Sequence, residues 1–149
     1  LLSNIRNIVD KPCWLLIGVD MTQDQSQLLA AYNDAAGITA KFNQNLLLRM
    51  NRELDANFNL DKFSHRAVFN PNEHRIEMHL VSEVTQSVVV AGQTVQFNAG
   101  EFIHTENCYK YPKPQFEKLL AASGWHIQRV WQDQSTSGFG LFLLKSEAD

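Results

Sequence analysis

The sequence predicts an α+β fold. Both ends of the chain read as pieces of an α/β sheet, and the middle as an inserted unit of two helices and four or five antiparallel strands. Three observations predict it. The run Cys13-Trp14-Leu15-Leu16-Ile17-Gly18-Val19-Asp20 is apolar until it closes on an acid, the habit of a strand buried on both faces in a parallel sheet. From residue 23 to about 56 the apolar residues recur at helical spacing. From Phe63 the period falls to two, as in half-buried antiparallel strands.

In order along the chain, residues 1–12 read as the end of a helix or a connector, and Pro12 opens the buried strand. Thr22 is placed to cap a helix over about Gln23 to Ala36, with Leu28, Leu29, Tyr32 and Ala36 on one face and Gly37 as its left-handed stop. Thr39 is placed to cap a second helix to about Ala56, whose apolar stripe is Phe42, Leu46, Leu47, Met50 and Leu54. The strand signals follow: Ala67 and Phe69, then Ile76, Met78 and Leu80, then Val88 and Val90, then Val95 and Phe97. Asn70-Pro71-Asn72-Glu73 and Ala91-Gly92-Gln93 supply the turns. Phe102 to Tyr111 alternates like a strand, but its ends carry no decisive signal. Pro112 and Pro114 open a third helix over Gln115 to Ser123, ended by Gly124. Two last strands, Trp125 to Gln132 and Phe139 to Lys145, are joined through Gln134-Ser135-Thr136-Ser137-Gly138.

Composition narrows the function classes. A chain of 149 residues, 44% hydrophobic and 19% charged, is that of a soluble globular protein able to bury one core without disulfide or metal staples. Its formal net charge of -3 offers no electrostatic footprint for nucleic acid or an anionic membrane. No apolar run approaches the roughly 20 residues of a membrane helix. Cys13 and Cys108 make neither a disulfide framework nor a zinc ribbon, which points to a reducing cytoplasm. Leu1 stands where an initiator Met would, without a signal peptide, and the first strand has no obvious second neighbour, so the chain reads as an excised portion. The exposed edge such truncation would leave at Trp14 to Val19 predicts self-association.

Chemistry concentrates in His104-Thr105-Glu106-Asn107-Cys108-Tyr109-Lys110-Tyr111. If this segment is extended, His104, Glu106 and Cys108 share one face. Three readings stay open: a self-satisfied turn with Cys108 as a small hydrophobe, a ligand site in which a carboxylate accepts a hydrogen bond, or a Cys108 thiolate with His104 as base. His74 and His79 fall on opposite faces of a strand, and no C-x-x-C or H-E-x-x-H spacing exists, so no metal is expected. Met78 reads as strand core. Tyr32-Asn33-Asp34 reads as a packed ring with two polar residues facing water, or as ligand contacts. The glycines are scattered, without a phosphate-cradling loop.

Taken together, five ordered strings resemble a known family. They are Leu16-Ile17-Gly18-Val19-Asp20, Ala31-Tyr32-Asn33-Asp34-Ala35-Ala36-Gly37-Ile38-Thr39-Ala40-Lys41-Phe42-Asn43, Asn51-Arg52-Glu53-Leu54, Arg75-Ile76-Glu77-Met78-His79-Leu80 and Ile103-His104-Thr105-Glu106-Asn107-Cys108-Tyr109-Lys110-Tyr111. They look like the histidine-specific S-adenosylmethionine (SAM)-dependent methyltransferases, the ergothioneine-type histidine Nα-methyltransferases. The resemblance implies a substrate domain at residues 22–111 inserted into a Rossmann-like methyltransferase sheet. Residues 1–21 would be a trailing strand of that sheet, and 112–149 its closing helix and antiparallel strand pair. It implies that Tyr32 contacts the carboxylate of an amino-acid substrate, that Met78 lines the pocket and that Glu106 hydrogen-bonds the imidazole. Cys108 stands where the family carries a serine that also contacts the ring. The implied reaction is in-line attack of the neutral α-amine of histidine on the sulfonium methyl group, with no metal. The SAM site would lie mainly upstream of Leu1, so the chain alone is not expected to be active. The alternative reading is a non-catalytic amino-acid binding module.

Overall fold

The computed structural model describes residues 1–9, 12–132 and 138–146. Trp14–Asp20 forms β1, Trp125–Gln132 forms β7 and Phe139–Ser146 forms β8, in one sheet ordered β1-β8-β7. Both pairings are antiparallel, with Trp14 opposite Lys145 and Trp125 opposite Ser146. The expected loop between β7 and β8 falls largely on residues 133–137, outside the described residues. Helix α1 (Leu2–Ile8) and α4 (Lys113–Ala122) complete this unit, which comprises Leu1–Gln23 and Tyr109–Asp149. Its core gathers Leu2, Val19, Phe116, Leu120, Trp125, Phe142 and Leu144. The Trp125 indole N–H donates to the Leu2 carbonyl at 3.1 Å and so anchors α1.

β1 departs from expectation. It is not buried on both faces: Leu15, Ile17 and Val19 turn toward the core, while Trp14 and Leu16 are each 58% exposed. Among the described residues, helices pack against only one face of the sheet, and the strand lies at its edge. A continuous apolar run reports what a strand can bury, and tertiary partners decide what it does bury.

The second unit, Asp24–Cys108, holds α2 (Gln25–Tyr32), α3 (Ile38–Glu53), a 3-10 turn (Leu60–Lys62), and strands β2 (Phe63–Asn70), β3 (Arg75–Ser82), β4 (Gln86–Val90), β5 (Gln93–Phe97) and β6 (Phe102–Tyr109). The chain crosses between the units at 23/24 and 108/109, where the sequence places boundaries at 21/22 and 111/112. The larger sheet runs β2-β3-β6, and β4 and β5 form a separate antiparallel hairpin. That hairpin turns on two residues, Ala91 and Gly92, both at positive φ (47° and 76°), the geometry whose twist matches paired strands. The segment at 102–109, undecided from sequence, is a strand. One core joins Leu47, Phe58, Phe63, Leu80, Val88 and Phe97, with the Phe63 ring edge-on to Phe58 and Phe97 at 5.6 and 5.4 Å.

The helix caps differ from the prediction. Asp24, not Thr22, caps α2, its carboxylate accepting from the N–H groups of Ser26 and Gln27. α2 ends at Tyr32 rather than Ala36, because Asn33 leaves the helix to bond β2. Thr39 lies inside α3. The Asp34 carboxylate accepts from the N–H groups of Ile38 and Thr39 at 2.8 Å each, and Gly37, at φ 68°, stands at the N-cap instead of after α2. The stripe of α3 is also rotated. Asn43 and Leu47 are buried, while Phe42 is 66% exposed and Leu46 and Leu54 are exposed. Leu47 and Met50 of the expected stripe do reach the core, but the polar Asn43 takes the inward position next to Phe42, so hydrophobicity alone does not locate the centre of the buried face.

Candidate functional site

Tyr32 ends α2, and two side chains pin it to β2. Asn33 Oδ1 accepts from the Ala67 N–H at 2.8 Å and Asn33 Nδ2 donates to the Ala67 carbonyl at 3.1 Å, so the side-chain amide pairs with the strand as a neighbouring backbone would. The His65 ring closes a second link. Its Nδ1 lies 3.0 Å from Asn43 Nδ2, which can only donate, so Nδ1 accepts, and Nε2–H donates to the Tyr32 carbonyl at 2.8 Å. Asn43 in turn donates to the His79 carbonyl at 3.1 Å, and the Thr105 hydroxyl lies 2.7 Å from Asn43 Oδ1 and 2.9 Å from the Met78 carbonyl. α2, α3, β2, β3 and β6 thus meet in one satisfied polar network. Sequence reasoning gave Asn43 and His65 no role and named Thr105 only within the His104–Tyr111 cluster; the one signal for Asn43 was its place four residues before Leu47.

The Tyr32 hydroxyl donates to Cys108 Sγ at 2.9 Å. Both side chains pack against Leu28, Ala67, Ile76 and Met78, so three of the four predicted site residues converge in one cluster. Glu106, the fourth, is exposed on β6 and forms no hydrogen bond or ion pair among the described residues. The expected shared face breaks between His104 and Cys108: His104 packs edge-on to His79, on the side of β3 opposite Met78, whereas Cys108 joins the Met78 cluster and Glu106 is exposed between them. The alternation of β6 changes phase between Thr105 and Cys108. Nor does His104 serve as a base for Cys108, since its Nε2 lies 2.8 Å from Asn107 Oδ1 and its ring packs edge-on to His79.

Glu77 and His79 project from β3 on the side opposite Ile76 and Met78. Glu77 Oε1 accepts from Asn70 Nδ2 and Arg75 Nε, each at 2.9 Å, and these bonds bring its carboxyl down to about 2. Its other oxygen is 3.4 Å from His79 Nε2. His79 stacks on Phe102 at 4.1 Å, and burial pushes its imidazole below the ordinary histidine value, outweighing the neighbouring carboxylate. His74 sits apart, in the turn between β2 and β3 with φ at 49°.

In the first unit, Asp20 receives the Lys110 ammonium at 2.6 Å, and Lys110 is only 3% exposed. Burial alone would raise the Asp20 carboxyl; the bonds from Lys110 and Thr22 outweigh it and hold it below the usual range. No glycine of this unit forms a cradle for a nucleotide. A Cβ on Gly18 would lie 2.6 Å from the Phe139 ring, and one on Gly140 2.7 Å from Met21, so the fold's own side chains fill the space. Among the described residues, no helix is long and apolar enough to cross a membrane.

Residues 1–146 match the family described as histidine-specific methyltransferase, SAM-dependent. The chain is 44% identical over 131 residues to the Histidine N-alpha-methyltransferase of Mycobacterium tuberculosis (strain CDC 1551 / Oshkosh), covering 87% of this chain and 40% of that protein. It is 41% identical over 144 residues to the enzyme of the same name from Mycolicibacterium smegmatis, covering 95% of this chain and 44% of the relative. A more distant relative, the N-methyltransferase imqF of Aspergillus flavus, is 26% identical over 124 residues, covering 83% of this chain and 34% of that protein. The chain spans less than half the length of these relatives. With the family matching nearly end to end, the chain belongs to the histidine-specific, SAM-dependent methyltransferases.

Proposed function

We propose that this chain is the carboxy-terminal, substrate-recognising part of a SAM-dependent Nα-methyltransferase acting on L-histidine. The observation that carries the reading is the convergence of Tyr32, Met78 and Cys108 in one cluster, with Glu106, on the same strand as Cys108, making no hydrogen bond or ion pair among the described residues. Glu106 would accept a hydrogen bond from an imidazole N–H, Tyr32 would turn its hydroxyl from Cys108 to the substrate carboxylate, and Met78 would line the pocket. Cys108 would meet the ring with a thiol, a weaker partner than a hydroxyl. Holding both ends of the amino acid orients its α-amine, and orientation is the contribution asked of this part.

In the same proposal the β1-β8-β7 sheet is the trailing edge of a Rossmann-like sheet, and the SAM site lies mainly upstream of Leu1. The reading draws support from the short coverage of the relatives and from the filled space around Gly18 and Gly140.

The test is L-histidine titrated into the chain and followed by amide chemical shifts. Saturable shifts at Cys108 and Glu106 are expected, with affinity weakened about tenfold or more in Glu106→Ala by loss of a hydrogen bond to a charged group. No shifts at millimolar histidine, or equal affinity in the variant, would overturn the assignment. Offered SAM and histidine, the chain alone should give no methylated product by mass spectrometry.

A further inference from the structure

We propose that Glu77, His79 and His104 form a binding site for a borderline divalent transition cation of the Zn²⁺ class, one that ties β3 to β6. The two strands are neighbours in the sheet, and one donor atom from each of the three residues lies within 4.8 Å of the others. Zinc bonds of about 2.0–2.3 Å in a tetrahedral site set donor atoms roughly 3.3–3.7 Å apart. The Glu77 Oε2 to His79 Nε2 separation of 3.4 Å already meets that spacing. His104 is exposed and can move the remaining distance by a change of side-chain torsion.

The second observation is His79 itself. It is 5% exposed, and among the described residues neither ring nitrogen makes a well-formed hydrogen bond, the carboxylate of Glu77 lying 3.4 Å from Nε2. An imidazole enclosed this way leaves its polar atoms unsatisfied, a condition that a bound cation relieves. The surrounding bonds are those a metal site needs. Asn70 and Arg75 hold Glu77 by Oε1 and leave Oε2 facing the cluster. Asn107 Oδ1 accepts from His104 Nε2, which sets the tautomer and leaves the other ring nitrogen with the lone pair.

Two imidazoles and one carboxylate select against Mg²⁺ and Ca²⁺, which take oxygen ligands, and favour Zn²⁺, Co²⁺ or Ni²⁺. Two guanidiniums temper the affinity. Arg75 Nη2 is 2.8 Å from Glu77, and Arg66 stands opposite His79 in the β2–β3 register with its guanidinium over the Phe102 ring. The affinity expected is therefore micromolar. The ligands are distinct from the proposed histidine contacts, so failure of one proposal leaves the other standing.

The experiment is calorimetric titration of the chain with Zn²⁺, alongside visible absorption with Co²⁺. One equivalent of Zn²⁺ should bind, with cobalt d–d bands and no thiolate charge-transfer band. His104→Asn and His79→Gln should each weaken binding by about tenfold or more, while His74→Asn leaves it unchanged. His104 is exposed, so His104→Asn keeps the fold, which the far-ultraviolet spectrum checks independently of metal. Absence of binding at about 100 μM Zn²⁺, binding that survives both substitutions, or a strong thiolate band pointing to Cys108 or Cys13 would each overturn the proposal.

Discussion

At the residue scale, Cys108 is the position that sets this chain apart from what its resemblance implies. The thiol accepts the Tyr32 hydroxyl and packs on the Leu28–Met78 cluster, so it acts at once as a polar partner and a small hydrophobe. Cys108→Ser exchanges a weak acceptor for a strong one. It should tighten histidine binding about fivefold, the equivalent of about 1 kcal/mol for one improved hydrogen bond. Calorimetry of the variant against the parent reads this directly, and unchanged affinity would place Cys108 outside the ligand contacts. Glu106 and Met78 were legible as candidates only through the ordered strings, since a carboxylate on a strand and a methionine in a core carry no signal of their own. The grouping of Glu77, His79 and His104 was not legible at all. Sequence spacing compared His74 with His79 along one strand, whereas the structure joins His79 to His104 across two.

At the element scale, α3 shows how a buried polar residue misleads a hydrophobic pattern. Phe42 is exposed and Asn43 is buried, because Asn43 links His65, Thr105 and the His79 carbonyl. Asn43→Ala removes three hydrogen-bond partners from a closed interior and should cost about 2–3 kcal/mol. Phe42→Gln should fall within about 0.5 kcal/mol of the parent. Urea midpoints measured by circular dichroism at 222 nm check both, and the reverse order would contradict the described face. At the end of β1, Asp20 has its carboxyl held below the unfolded value, so its stabilising share is complete above that value. It is lost as pH falls through the unfolded and then the folded value. All three tryptophans, Trp14, Trp125 and Trp131, lie in the unit that contains Asp20, so their fluorescence reports its unfolding. The parent should lose stability below about pH 4 more steeply than Asp20→Asn. Parallel pH profiles would show that the Lys110 contact contributes nothing.

At the scale of the whole molecule, two units are built by different rules, one around helices on one face of the β1-β8-β7 sheet and one around a polar network and three phenylalanine rings. β1 lies at the edge of its sheet among the described residues, with Trp14 and Leu16 exposed. We expect this chain to self-associate through that edge, giving a concentration-dependent dimer in sedimentation that Leu16→Lys abolishes. A well-folded monomer at all concentrations would refute it. The sequence by itself determined the strands from 63 to 97, the closing helix and the last strand pair, because their periodicity and turn residues act locally. It also determined the family, through the order of five strings. Only the tertiary structure decided which face of α3 is buried, that β1 is covered on one side, that Asn33 and Asp34 end one helix and start the next, and that two histidines and a glutamate meet. Each of those depends on partners distant in sequence, whose hydrogen bonds and packing outweigh the local preference.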